Sequence, residues 1–217
     1  GSRINIISKE YTKISHTITI RRYSKSIKNF DSSPGIFGLT PEMVTLLKGM
    51  VRARFNIIVA GGTGVGKTTF MNLMLQEFSV KERIITIEDT RELQLTQPNV
   101  VRLEAKPAYG NQVGLTQRDL VKNTLRMRPD RIVVGEVRGP EAFDLLQAMN
   151  TGHEGTLASI HANSPGECMI RLENLFMLAG YDLPMKALRF QISEAIDYIV
   201  QIKRDKSGMR LISQITE

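Results

Sequence analysis

Gly61-Gly62-Thr63-Gly64-Val65-Gly66-Lys67-Thr68, followed by Thr69, matches the pattern G-x-x-x-x-G-K-[ST] in full. The apolar run at residues 55–60 reads as a buried strand before it, and an apolar-rich segment reads as a helix after it, through Phe78. Strand, glycine loop and helix in that order make a phosphate cradle. Glycines let successive backbone N–H groups curl around the phosphates, and the positive end of the helix dipole favours their charge. The motif therefore predicts nucleotide contacts from Gly61, Gly62, Thr63, Gly64, Val65, Gly66, Lys67, Thr68 and Thr69. Lys67 is expected to reach the β- and γ-phosphates, and the Thr68 hydroxyl to bind Mg²⁺, so ATP and Mg²⁺ are the expected ligand and ion. An ordinary glycine-rich turn leaves the lysine and the following helix unexplained.

Around this stretch the chain alternates strands and helices. Thr40-Pro41-Glu42 combines a cap, a proline at the first helical position and an early acid, and starts a helix to about residue 53. Strands are predicted at 83–88, 100–104, 131–136 and 155–161, and helices from Thr116 and over 140–150 and 184–195. Ser164-Pro165-Gly166-Glu167 reads as a capping box with proline at the first position. Strands at about 196–203 and 209–215 close a hairpin around Ser207-Gly208. The fold expected is α/β, a P-loop NTPase core with a mainly parallel sheet covered by helices on both faces and a C-terminal β-hairpin.

Two further strands, at 3–8 and 17–23, are too little to fold alone. Residues 1–30 are read as the end of a mostly absent N-terminal domain, a short β remnant, with 31–35 as linker and 36–217 as the ATPase domain. The net charge of +7 is concentrated in that arm, which carries Arg3, Lys9, Lys13, Arg21, Arg22, Lys25 and Lys28 against Glu10. The core is close to neutral, aromatic residues are 6% and there is no Trp, so stacking on single-stranded nucleic acid is disfavoured. The N-terminus does not read as a charged-then-apolar signal peptide, and no run approaches the ~20 apolar residues of a membrane helix. Its lone cysteine, Cys168, fits a reducing cytoplasm.

Arg131-Ile132-Val133-Val134-Gly135-Glu136 places an acid at the C-terminal end of a core strand, and Ile84-Ile85-Thr86-Ile87-Glu88-Asp89 repeats the arrangement. Ligands sit at that edge of an open parallel sheet. Glu136 and Glu88 are thus candidates to hold the Mg²⁺ shell or orient water, against the alternative of solvated turn acids. A strand (83–88) intervenes between the P-loop strand and the Glu136 strand, which with the strand-end glutamate favours motor-type ATPases over small-molecule kinases and GTPases. His153 and His161 bracket the strand at 155–161, and one is expected to contact the γ-phosphate. His153-Glu154 begins like a zinc-protease helix, but Leu157 stands where the second histidine should be, so no zinc site is expected. Met177, Met169 and Phe176 are read as core packing, and Arg126, Arg128 and Arg138 as a cluster around the Glu136 strand. Residues 37–39 are the candidate adenine turn, leading into the helix before the P-loop strand.

The stretch Arg-Met-Arg-Pro-Asp-Arg-Ile-Val-Val-Gly-Glu-Val-Arg-Gly (126–139), continued through both histidines to Asn163, resembles the type II/type IV secretion ATPase superfamily. The nearest likeness is to the branch that drives tight-adherence (Flp-type) pilus assembly. The resemblance implies a hexameric ring of RecA-like domains, cytoplasmic at the inner face of the cell membrane. The ring would work on inner-membrane platform proteins, with membrane association only through partners and nucleic acid not expected. It implies Glu88 as the catalytic acid of an acidic box and Glu136 as the Walker B residue near Mg²⁺, partly through water. It also implies His161, with His153 before it, as the γ-phosphate-sensing histidine box. Arg3 and Arg21 match arginines that the family supplies from its N-terminal domain, with Arg22 as the neighbouring alternative. The four-cysteine zinc element of the type II branch is absent. A nucleic-acid-stimulated RecA-like motor and an ATP-gated assembly module remain as alternatives.

Overall fold

A computed structural model describes residues 2–22, 29–110, 113–181 and 183–217; Tyr23, Lys25 and Lys28 of the predicted arm fall outside these ranges. The chain opens with strand β1 (Ser2–Ile7), a single helical turn α1 (Lys9–Thr12) and strand β2 (Thr17–Arg22). A 3-10 turn at Ile36–Gly38 precedes α2 (Pro41–Arg52), β3 (Ile57–Gly61), α3 (Lys67–Leu75), β4 (Ile84–Glu88) and β5 (Val100–Glu104). Then come α4 (Gln117–Thr124), β6 (Arg131–Val137), α5 (Glu141–Asn150), β7 (Leu157–Ile160), α6 (Pro165–Met177), α7 (Met185–Ala195), β8 (Tyr198–Arg204) and β9 (Arg210–Thr216).

Seven strands form one sheet in the order β5-β4-β6-β7-β3-β8-β9. Every neighbouring pair is parallel except β8 with β9, the C-terminal hairpin. The alternation of side chains along β3 explains its apolar run. Ile57 and Val59 enter a core with Leu47, Phe70, Met71 and Met74, whereas Ile58 and Ala60 enter the opposite core with Leu145, Leu172 and Ile192. Both faces are covered, so β3 is buried along its length. In the sheet, β7 stands between β3 and the strand that ends in Glu136, while β4 lies beyond it. The strand that intervenes along the chain is therefore not the one that intervenes in space.

Helix starts follow the sequence cues. Thr40 Oγ1 accepts the Met43 N–H, and Thr116 and Asp119 form a reciprocal capping box. At α6 the Ser164 hydroxyl accepts the Glu167 N–H, but the Glu167 carboxylate reaches back to the Asn163 N–H, one residue earlier than a capping box requires. Helix α3 stops at Leu75, and Phe78 closes a tighter turn onto the Leu75 carbonyl.

Three further sequence expectations are corrected here. Phe30 is 3% exposed and packs edge-to-face on Phe70 at 6.5 Å, so it belongs to the core rather than to the arm. Met177 is 56% exposed, because successive helical residues point about 100° apart and Phe176 takes the core direction. Arg126 and Arg128 precede β6 and Arg138 follows it, so the strand's seven residues, about 23 Å, separate them.

The far edge of the sheet is held by Arg131, which is 3% exposed. Its Nε donates to Glu82 Oε1 at 2.9 Å, its Nη2 to the Val51 carbonyl at 2.9 Å, and its guanidinium stands 4.7 Å above the Phe78 ring. Replacing Arg131 with Ala removes the close donor to Glu82 Oε1 and the donor to the Val51 carbonyl. The expected cost is about 3–5 kcal/mol, to be read from denaturant unfolding.

Candidate nucleotide site

The C-terminal ends of the parallel strands converge on one cavity of about 770 Å³, within the roughly 300–1,000 Å³ typical of ligand sites. Thr63, Gly64, Gly66, Lys67, Thr68 and Thr69 line it from the β3–α3 loop. Glu88 and Asp89 line it from β4, Gly135 and Glu136 from β6, and Ser159 and His161 from β7. Arg3, Arg21 and Arg22 close it from the β1–β2 hairpin.

The loop is shaped by its glycines and its lysine. Gly66 caps α3 with φ +102°, a conformation that favours glycine, and a Cβ there would meet the Phe37 ring at 3.1 Å and Arg210 Cδ at 3.2 Å. Lys67 Nζ donates to the Gly61 carbonyl at 2.8 Å and the Gly62 carbonyl at 2.9 Å. Burial lowers the lysine's pKa and the nearby Glu136 charge opposes that shift. Gly61, Gly62 and Val65 support the loop from behind without lining the cavity, Val65 being 7% exposed.

The two strand-end acids differ in setting. Glu88 is 3% exposed, and its Oε1 accepts the N–H groups of Glu92 at 2.8 Å and Leu93 at 2.9 Å. Its Oε2 is buried with no hydrogen bond among the described residues. Burial pushes the carboxyl pKa up, the two N–H bonds pull it down, and the charges of Glu92 and Glu104 push it further up. Gly135 makes room for this side chain, since a Cβ there would stand 3.2 Å from Glu88 Cγ. Glu136 is half-exposed and lies 3.9 Å from Arg138 Nε. Arg138 also pairs with Asp89, which accepts from Gln117 Nε2 at 2.8 Å.

Mg²⁺ takes oxygen donors, commonly one or two from the protein with the rest from phosphates and water. Thr68, Glu136 and Glu88 line the same cavity, and Glu88 Oε2 has no hydrogen bond among the described residues, which fits that pattern. Among the described residues no group of three or more His, Cys, Asp or Glu forms a metal cage of its own.

His153 is not brought here. It precedes β7 and His161 follows it, so the strand alone, about 13 Å long, keeps the two histidines at opposite sheet edges. Only His161 lines the cavity. Phe37 and Leu39 are buried and do not line it either. Sequence reasoning missed Glu92, Asn72, Gln117, Arg204 and Arg210 on the cavity wall. Glu92 was within view, one residue from the Asp89-Thr90-Arg91 run after β4, but nothing in its spacing marks it. Arg204 donates to the Gly64 carbonyl at 3.0 Å, a contact made only because β8 lies beside β3.

The model of the type II/IV secretion system protein family matches residues 7–210. The chain belongs to this family. A putative conjugal transfer protein of Mycobacterium tuberculosis is 46% identical over 178 residues, 82% of this chain and 50% of that protein. The conjugal transfer protein TrbB of Rhizobium radiobacter is 36% identical over 196 residues, 89% of this chain and 58% of that protein. The VirB11 ATPase of the Brucella suis type IV secretion system, solved with sulphate, superposes with a TM-score of 0.73 at 30% identity. That match covers 100% of this chain and 73% of the Brucella chain. The chain thus spans about half the length of the curated relatives it matches. The fold is the RecA-like one of the secretion ATPases, as the sequence predicts.

Proposed function

We propose that this chain is the Mg-ATP-hydrolysing core of a secretion or pilus-assembly motor. One observation carries the reading: the phosphate loop, a buried acid, a half-exposed acid, a histidine and hairpin arginines line a single cavity. In that cavity Lys67 and the loop N–H groups hold the phosphates, and the hairpin arginines that line the same cavity meet them. Glu88 takes the proton of the attacking water, aided by a pKa that burial raises. Thr68 and Glu136 would hold Mg²⁺, which would neutralise charge developing on the phosphates. His161 is the residue placed to sense the γ-phosphate.

Beyond the chemistry, the reading is of a hexameric ring whose subunits close on ATP and open after hydrolysis, at the cytoplasmic face of the inner membrane with platform proteins. The family supports an assembly ATPase, and the motif stretch 126–163 supports the Flp-type pilus branch; the relatives described above carry conjugal-transfer names. Among the described residues no helix is long and apolar enough to cross a membrane.

Mg-ATP turnover measured against protein concentration, with and without single-stranded DNA, tests this. Specific activity rising with concentration and indifferent to DNA is expected. DNA stimulation would favour a nucleic-acid motor, and concentration-dependent assembly on ATP without turnover a gated module.

A further inference from the structure

Glu92 has a double connection that neither the phosphate loop nor the strand-end acids explain. Its backbone N–H donates to Glu88 Oε1 at 2.8 Å. Its carboxylate stands 3.5 Å from Arg3 Nη2 through one oxygen and 3.6 Å from Arg21 Nη2 through the other. The two arginines face each other across the hairpin, in register, so one carboxylate receives both. The loop that bears it is seated on α3: Asn72 Nδ2 donates to the Glu92 carbonyl at 3.4 Å, and Asn72 Oδ1 accepts the Gln94 N–H at 2.8 Å. The Glu92 side chain is 14% exposed, against 48% and 60% for the arginines. Every residue of β1 and β2 is exposed, so the hairpin meets the core through charge and not through a buried apolar face.

We propose that Glu92 is a positioning residue, the resting anchor of Arg3 and Arg21, which exchange it for nucleotide phosphates when these enter the cavity. This rests on the nucleotide-site reading above. Ion pairs at such exposure are weak, so the exchange is easy. A polyphosphate offers more charge and bidentate geometry to a guanidinium than one carboxylate does.

The test is Glu92→Gln, which keeps the N–H that Glu88 needs and removes the charge. A non-hydrolysable fluorescent ATP analogue is expected to bind about fivefold tighter to Glu92→Gln than to wild type, because the Glu92 carboxylate no longer competes for the arginines. Glu92→Asp is expected to behave as wild type. In an Arg3→Gln, Arg21→Gln background the Glu92→Gln change should no longer alter affinity. With no nucleotide present, trypsin should cut after Arg21 faster in Glu92→Gln than in wild type. Unchanged affinity and unchanged cleavage, or an equal affinity change in both backgrounds, overturns the anchor. Absence of analogue binding by wild type would instead overturn the nucleotide-site reading and the exchange with it, whereas the cleavage rates would still report whether Glu92 holds the hairpin.

Discussion

Lys67→Ala is expected to lower Mg-ATP turnover by at least about 10²–10³-fold while leaving the fold intact. Lys67 is the first residue of α3, and alanine is the best helix former, so the helix has no reason to shorten. What disappears is the only cation that the phosphate loop itself supplies. Its ammonium now bridges the carbonyls of Gly61 and Gly62, which fixes the loop's curl and aims the charge into the cavity. Burial makes that charge costly, as the lowered pKa shows, and Glu136 compensates only in part. A cation kept in place against its own desolvation is one whose charge the site uses. Hydrogen bonds to charged groups contribute about 1.5–3 kcal/mol each, so analogue affinity should fall together with turnover. Unfolding midpoints measured beside turnover separate lost chemistry from lost structure. Retained turnover in a folded variant would remove the phosphate-loop assignment.

Much of this site is legible in the sequence because its parts are local. The phosphate loop needs consecutive residues, so Gly61 through Thr68 announce it. Glu88 and Glu136 are legible because each ends an apolar strand, and parallel strands bring their C-terminal ends to one edge. The fold was equally accessible, since strands buried on both faces read as unbroken apolar runs. Two of the failures share one cause, which is that spacing along the chain does not report direction across a strand. His153 and His161 look paired in sequence, yet β7 carries them to opposite edges. Arg126 and Arg138 are divided by β6 in the same way. Arg204 and Glu92 were missed for the converse reason. Their partners lie far along the chain, Gly64 for Arg204 and both Arg3 and Arg21 for Glu92. A Ser- and Lys-rich stretch before Phe30 reads as arm, whereas its ring packs on Phe70 in the core.

Glu88→Gln is expected to separate catalysis from stability, lowering turnover by about 10²–10⁴-fold while preserving nucleotide binding and raising the unfolding midpoint. Glutamine retains the Oε1 acceptor, so the N–H groups of Glu92 and Leu93 stay bonded and the loop keeps its course. It cannot take a proton from water. The stability gain follows from the buried, unpartnered Oε2 and from the raised pKa, whose first cause is burial. A carboxyl with a raised pKa binds its proton more tightly folded than unfolded. Its ionised form therefore costs stability above the folded pKa, and the cost fades as pH falls through that pKa toward the ordinary 4.5. Removing the charge should stabilise by about 1 kcal/mol at alkaline pH, with the advantage over wild type shrinking as the solution is acidified. Turnover of the wild type should fall over the same descent, because the base is lost as it protonates. Chemical unfolding of both proteins across pH, with turnover at each point, checks the pair of effects. A variant that gains stability yet keeps its turnover would make Glu88 a structural acid and move the proton acceptor to Glu136, the other strand-end acid on the cavity.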